Sequence, residues 1–475
     1  MPLPKRFATR TPPVRVLHCG DTLPSWCRRM SARFATVDAL RGFAAVWVFA
    51  YHLWNVYCPG CSAQVEPIPI GRDTPAAVVA TFPVFAYGYA GVGLFFVLSG
   101  FCIHLPQSRR FHAKGQDGLD LREFGRRRFW RLYPAFLASL FLASLGLGVM
   151  NCVWRDPPGP DGFTTAYLIR AFGLSWILPN AVFALPLAPA AQLLCPVAWT
   201  LLYELQFYVL YPLLLKLVRK TGFAPVGVVL LVGELAFALI PTPDVLAPLD
   251  PHFKYFFLRR YFDWFLGMWL AERLAAGNPL SVKWGKRLLL VGLVGGPLAS
   301  GFALTWPLHE LLFVVAATGL VACAVANPAV GTLLPAGERS VAKQPGEGSS
   351  LFESQTPHPA TALPTSPQRG EVESLHRPRH ESTASVIARA FAPVGEWSYS
   401  LYLIHMTVMR LVFAGQMALP GEWRWWTFPA AGLTCAAAVP LTAWVWYRLF
   451  EKPYLPKPSG EAARVADTRP LSVPC

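Results

Sequence analysis

The sequence predicts an all-α, polytopic membrane helix bundle of about ten transmembrane helices, with both termini cytoplasmic. Three observations carry that reading: the apolar composition, the length of the apolar runs, and the alternation of charge between them. Of 475 residues, 54% are hydrophobic and 13% aromatic, with a mean hydropathy of +0.38. Soluble domains are about 45–50% apolar. The formal charge of +15 would suit a nucleic-acid binder, but the lysines and arginines gather in short stretches between apolar segments. That is the pattern of cytoplasmic anchoring, and no RNA- or DNA-binding motif accompanies it.

At about 20 residues per span, the helices fall near 37–57, 83–105, 132–150, 198–217, 222–241, 255–272, 287–303, 308–328, 395–415 and 427–449. The N-terminus and the connections 106–131, 216–220 and 273–287 are basic and belong inside. Connections 58–82, 151–197, 242–254 and 416–426 are Pro-rich or nearly neutral and belong outside. Segment 164–197 is apolar enough for another helix, but an eleventh span would break the alternation, so it reads as an outer segment lying on the membrane.

Around the helices the chain divides further. Residues 1–35 form a basic extension expected to be disordered; they carry Arg10, Arg15, Arg28, Arg29 and Arg33 but no apolar h-region, so they do not read as a signal peptide. Met30 is an alternative start. The membrane domain runs over 36–334 and resumes at 386–455 with its last two helices. Between them, 335–385 is rich in Pro, Ser and Gly and reads as a disordered cytoplasmic insertion; 456–475 is a cytoplasmic tail. Deleting 340–380 is expected to leave activity intact in a transfer assay on membranes.

Five blocks point to chemistry: VDALRGFAAVWVFAYH (37–52), GVGLFFVLSGFCI (91–103), RRRFWRLYP (126–134), WTLLYELQFYVLYPLL (199–214), and SYSLYLIH (398–405) with YRLFEKP (447–453). In this order the chain resembles the acyltransferase-3 family of integral membrane acyltransferases, which O-acylate cell-surface glycans, lipopolysaccharide, exopolysaccharides and some small molecules. The resemblance implies an O-acetyltransferase of the bacterial inner membrane. It would take acetyl-CoA as donor and a glycan or lipid-linked sugar as acceptor, among membrane lipids, without a metal or nucleic acid. Two departures matter. The fourth block often carries consecutive acidic residues, whereas Glu204 is followed by Leu205, a variant similar to the exopolysaccharide or O-antigen acetylase type. No hydrolase-like domain follows residue 453.

The catalytic candidates are His52, Glu204 and Asp38. At about 1.5 Å per residue, His52 lies roughly 20 Å beyond Asp38, in the outer half of a core about 30 Å thick. An ionisable side chain there is a functional-site hypothesis. Glu204 enters from the opposite face, so the two could share a depth, the carboxylate fixing the tautomer of a histidine that takes a hydroxyl proton. Asp38 and Arg41 read equally as a helix-start ion pair or as site residues; Arg41 suits a phosphate. Arg126 and Arg127 read as anchors. Arg128 and Arg131, three apart, share a helix face as a clamp for the phosphates of coenzyme A, and the family's R-x-x-R motif falls on the same pair.

Ser99, His405 and Glu451 are accessory candidates. Ser99 reads first as a packing residue beside Gly100, His405 as packing or a second proton relay, and Glu451 as a helix-end ion pair with Lys452. Tyr203, Phe207, Tyr208, Trp423, Trp425 and Trp426 read as an interfacial belt. Cys58, Cys61, Cys152 and Cys195 fall outside, where one or two disulfides are possible. A proton-coupled transporter or flippase with a relay of His52, Glu204 and His405 is the rival reading. It lacks the internal repeat common in transporters. An inactive acyltransferase-like structural protein is a third, opposed by the intact His52 and arginine pair.

Overall fold

The computed structural model describes residues 25–57, 84–115, 118–153, 195–239, 256–302, 305, 308–326, 383–417 and 427–455. Within these residues the protein is helical and has no strand. In chain order the helices are α1 (Ser25–Tyr57), α2 (Ala90–Lys114), α3 (Leu121–Val153), α4 (Ala198–Thr221), α5 (Phe223–Leu239) and α6 (Tyr261–Ala275). They continue as α7 (Val282–Ser300), α8 (His309–Val325), α9 (Thr383–Glu396), α10 (Ser398–Met417) and α11 (Thr427–Trp446), the last prolonged by a π-helical turn, Tyr447–Glu451.

The surface shows what solvent this bundle expects. Along α4 the row Leu205, Val209, Leu213 and Leu217 is exposed, while Tyr203, Phe207, Tyr208 and Tyr211 are buried. Phe141, Val229, Leu290 and Leu433 are likewise exposed, and His104, Ser108, Asp263, Ser400 and His405 are buried. Apolar outside and polar inside suits hydrocarbon, where backbone polar groups must be satisfied within helices. Among the described residues four runs are long and apolar enough to cross a bilayer: Ala90–Lys114, Leu121–Gly146, Ala198–Thr221 and Ala430–Tyr454. Phe223–Leu239 and His309–Val325 are shorter apolar helices.

Small residues bring the helices together. A side chain at Gly100 would meet the carbonyl of Trp264, and one at Gly267 the carbonyl of Val97, so α2 and α6 touch backbone to backbone. Gly267→Val is expected to cost about 1–3 kcal/mol by overpacking, read as a lower melting temperature in detergent. At the end of this helix pair Glu272 accepts from His104 (2.9 Å), Ser108 (2.5 Å), His112 (2.9 Å) and Arg219 (2.8 Å), tying α2, α4 and α6.

Two expectations change. The span expected at 395–415 is preceded by a separate helix, α9, which lies along α1: Gly42 faces the Phe391 carbonyl, Gly395 faces the Asp38 backbone, and Phe43 meets Phe391 edge-on at 5.8 Å. Its start falls inside the stretch expected to be disordered, because helix-compatible small residues there carry too few large apolar side chains to signal it. Tyr203, Phe207 and Tyr208 form no interfacial belt. They are 2%, 0% and 7% exposed; Tyr203 packs on Phe96, Phe207 on Tyr261 and Trp264, and Tyr208 on Phe124. Trp423, Trp425, Trp426 and most of the insertion lie outside the described residues.

Candidate active site

The bundle forms a partly open cavity of about 580 Å³ where α1, α2, α3, α4, α10 and the π turn converge. Its wall carries Arg41, Arg128 and Arg131 together with Asp38, Glu204 and Glu451. Residues from six separate stretches of sequence thus meet in one chamber. Three guanidinium groups facing a cavity form a polyanion site: planar, permanently charged forks that match phosphate oxygens.

Each arginine is set differently. Arg41 lies 3.4 Å from Asp38 across one helical turn, but α1 begins at Ser25, so the expected helix-start ion pair is a mid-helix pair on the cavity wall. Arg128 stands over the rings of Phe124 (5.5 Å) and Tyr208 (5.7 Å), and its Nε is buried with no partner among the described residues. A buried donor left unmatched fits a ligand anion. Arg126 and Arg127 instead hold Glu123 on the surface at 2.6 and 2.5 Å. One helix therefore sorts its arginines by face.

Glu204 accepts from Ser99 Oγ (3.1 Å) and from the Tyr208 hydroxyl. Ser99 in turn accepts from Trp264 Nε1 at 3.3 Å. The Ser-Gly pair divides its labour: Gly100 makes the close packing and Ser99 holds a carboxylate. Glu451 is 2% exposed, accepts from Ser400 at 2.7 Å and faces the cavity, so the expected pair with Lys452 gives way to a buried contact. The π turn that ends on it is a common local distortion at functional positions.

His52 is elsewhere. It lines a second, smaller pocket of about 70 Å³ with Tyr51, Tyr89, Trp199, Arg260 and Glu310. The expected pairing of His52 with Glu204 is not what the structure shows: Glu204 belongs to the arginine cavity, and the ring beside His52 is His405, 5.1 Å between centroids. Equal depth along two helices does not make two side chains neighbours, and here α2 and α10 stand between them. Val92 and Tyr402 line both chambers and form the wall between them. Tyr402 is anchored there by Thr200, which donates to its hydroxyl at 3.0 Å.

His405 has a defined tautomer. Its Nδ1 lies 2.7 Å from the Tyr402 carbonyl, which can only accept, so Nδ1 carries the proton. Nε2 is then a lone-pair nitrogen, buried and without a protein partner. Cys195 is a buried free thiol; Cys58 and Cys61 lie outside the described residues. No group of three or more metal-ligating side chains occurs among the described residues.

A family profile described as an acyltransferase domain matches residues 34–333. The chain belongs to the acyltransferase-3 family. As a family member it is an acyltransferase and a membrane protein, which sets aside the transporter reading. The protein is similar to "Acyltransferase MdmB" of Streptomyces mycarofaciens, 23% identical over 438 residues, covering 89% of this chain and 91% of that one. It is also similar to "Putative peptidoglycan O-acetyltransferase YrhL" of Bacillus subtilis strain 168, 26% identical over 185 residues, which are 38% of this chain and 23% of the relative. No solved structure matches. Ser400, His405 and Glu451 lie beyond the matched profile; the sequence had singled out the last two, and geometry adds Ser400 through its contact with Glu451.

Sequence reasoning missed Tyr402, Arg260 and Glu310. A signal was present for the charged pair: Arg260 and Glu310 fall within expected spans, where any ionisable residue asks for a function.

Proposed function

We propose that this membrane acyltransferase moves an acyl group, most simply acetyl, from acyl-CoA in the arginine cavity to a hydroxyl of a cell-surface glycan or lipid-linked sugar at the His52 pocket. The observation that carries the reading is the pair of chambers sharing the Val92–Tyr402 wall, one built for a polyanion and the other holding a histidine. Arg41, Arg128 and Arg131 bind the donor phosphates. The pantetheine arm runs past Ser99 and Glu204, whose carboxylate accepts from its amide N–H groups, and the thioester reaches Tyr402, whose side chain turns out of the shared wall so that the two chambers join for transfer. His52 takes the proton of the acceptor hydroxyl as its oxygen attacks the thioester carbonyl. The C–S bond breaks, the acyl group stays on the acceptor oxygen, and the thiolate leaves and recovers the proton.

The topology that fits is ten spans with both termini cytoplasmic in a bacterial inner membrane, the arginine cavity facing inward and the His52 pocket outward. The O-acetyltransferase name of the Bacillus relative supports acetyl as the group moved. Membranes holding the protein are expected to release coenzyme A from radiolabelled acetyl-CoA and to pass label to an acceptor or to water. No release above membranes lacking the protein would overturn the proposal.

His405 acts as a positioning residue. The two rings stand 5.1 Å apart between centroids, and with substrate bound the unpartnered Nε2 is to take an N–H of His52 and leave the other nitrogen of His52 as the base, the task otherwise given to a carboxylate. Gln reaches as far as Nε2 of histidine and Asn only as far as Nδ1. His405→Gln is therefore expected to keep about tenfold more activity than His405→Asn, with a shifted pH–rate profile in both. Equal activities and an unmoved profile would leave His405 a packing residue.

A further inference from the structure

The charges around the small pocket are not used by the chemistry above. Arg260 sits between Glu310, 2.6 Å from its Nη1, and the fully buried Asp263, 2.8 Å from its Nε. Glu234 is buried nearby at 5% exposure. Placing such groups among apolar helices is costly, and structural pairing alone is a weak return, since apolar side chains of similar volume pack there as well or better. The pocket surface gives the reason. Glu310 lines it, one-third exposed, and Arg260 fixes its orientation. A carboxylate has about four lone-pair sites, so it can take a ligand hydroxyl in addition to the guanidinium.

Tyr89 adds an independent observation. Its ring lies 5.8 Å from Tyr51 and 5.6 Å from His309, the residue lines the same pocket, and its hydroxyl is buried with no partner among the described residues. A buried hydroxyl without a partner is expensive. A ligand hydroxyl would satisfy it. Trp199 contributes an aromatic wall. About 70 Å³ is room for a few water molecules, hence for one hydroxyl-bearing edge or hydroxymethyl arm of a sugar, with the rest of the acceptor outside.

We infer that the pocket formed by His52, Tyr89, Trp199, Arg260 and Glu310 is the acceptor subsite, and that it takes the hydroxylated edge of an uncharged saccharide. Glu310 and Tyr89 hold hydroxyls next to the one presented to His52. The carboxylate at the wall disfavours an anionic sugar. This inference rests on the acyl-transfer reading, and the test separates the two.

Full-length protein in nanodiscs is given radiolabelled acetyl-CoA with methyl β-glucopyranoside or its anionic counterpart, methyl β-glucopyranosiduronate. Free acetate and acetylated glycoside are both counted. The unaltered protein is expected to acetylate the neutral glycoside at least tenfold better than the uronate. Tyr89→Phe should lower the ratio of glycoside acetylated to acetate formed three- to tenfold, the worth of one neutral hydrogen bond. Glu310→Gln should lower it tenfold or more. Loss of Glu310 could unsettle Arg260, but Tyr89→Phe removes an oxygen that no protein group uses and leaves the fold in place. Coenzyme A release without glycoside acetylation, equal use of the two glycosides, or an unchanged ratio in Tyr89→Phe would overturn the subsite while leaving acyl transfer standing. Absence of coenzyme A release from the unaltered protein would overturn both.

Discussion

His52→Ala is expected to lower acyl transfer by about 10²–10⁴-fold, the usual contribution of a positioned general base, while the protein stays folded in the membrane. The size of the effect follows from the surroundings. Around the ring stand Tyr51, His405 and the aromatic walls of a small pocket, and the carboxylate of Glu204 is held in the other chamber by Ser99 and Tyr208. His405 is a poor substitute, because its Nδ1 is committed to a backbone carbonyl and its side chain stands behind His52 rather than among the residues that line the pocket. The fold should survive the change: the close contacts that hold α1 are made by Gly42 with α9 and by Gly88 and Gly91 against Ala44, Trp47, Val48 and Tyr51, none of them by the His52 side chain. Measured as label transferred from acetyl-CoA per molecule of protein extracted, activity within threefold of the unaltered chain would overturn His52 as the base. A matching fall for Glu204→Gln would not rescue it, since that residue touches the donor chamber.

How much of this was legible in the sequence depended on the range of the interaction. The helices α2, α4 and α8 announce themselves by apolar run length, a local property. So does the division of the arginines in RRRFWR, since three residues apart on a helix means one face: Arg128 and Arg131 reach the cavity, while Arg126 and Arg127 turn to Glu123. The neighbours of His52 were not legible. Depth can be counted along a helix, but which helix lies beside which is fixed by backbone contacts such as Gly100 on Trp264 and Gly395 on Asp38, and no count of residues gives those. The same limit concealed Tyr402, whose importance lies in separating two chambers, and turned Glu451 from a chain-end ion pair into a cavity wall. Arg260, Asp263 and Glu310 are the instructive omission: they were visible as charges inside apolar runs, and the cost of burying them was the available clue.

Arg128→Ala and Arg131→Ala are each expected to raise KM for acetyl-CoA about 10- to 100-fold, the range for a hydrogen bond to a charged group, with a smaller change in kcat. Both side chains face the cavity, and for Arg128 the argument is strongest: an unmatched buried Nε and two aromatic faces that hold the guanidinium plane leave a donor with nothing in the protein to bind. Arg128→Lys keeps the charge but loses the planar fork and the stacking, so it should recover only part of the affinity. Arg126→Ala and Arg127→Ala, whose partner is the surface residue Glu123, should stay within twofold. The rival account, in which the cluster only anchors the cytoplasmic end of α3, predicts that all four behave alike and that losses track the amount of inserted protein. A second readout separates them without reference to expression. Acetyl-dephospho-CoA lacks the 3′-phosphate. The unaltered protein should prefer acetyl-CoA to it, and the variant that has lost the arginine facing that phosphate should no longer tell the two donors apart. Arginine variants that keep the full preference would mean that the cavity binds its donor by other groups.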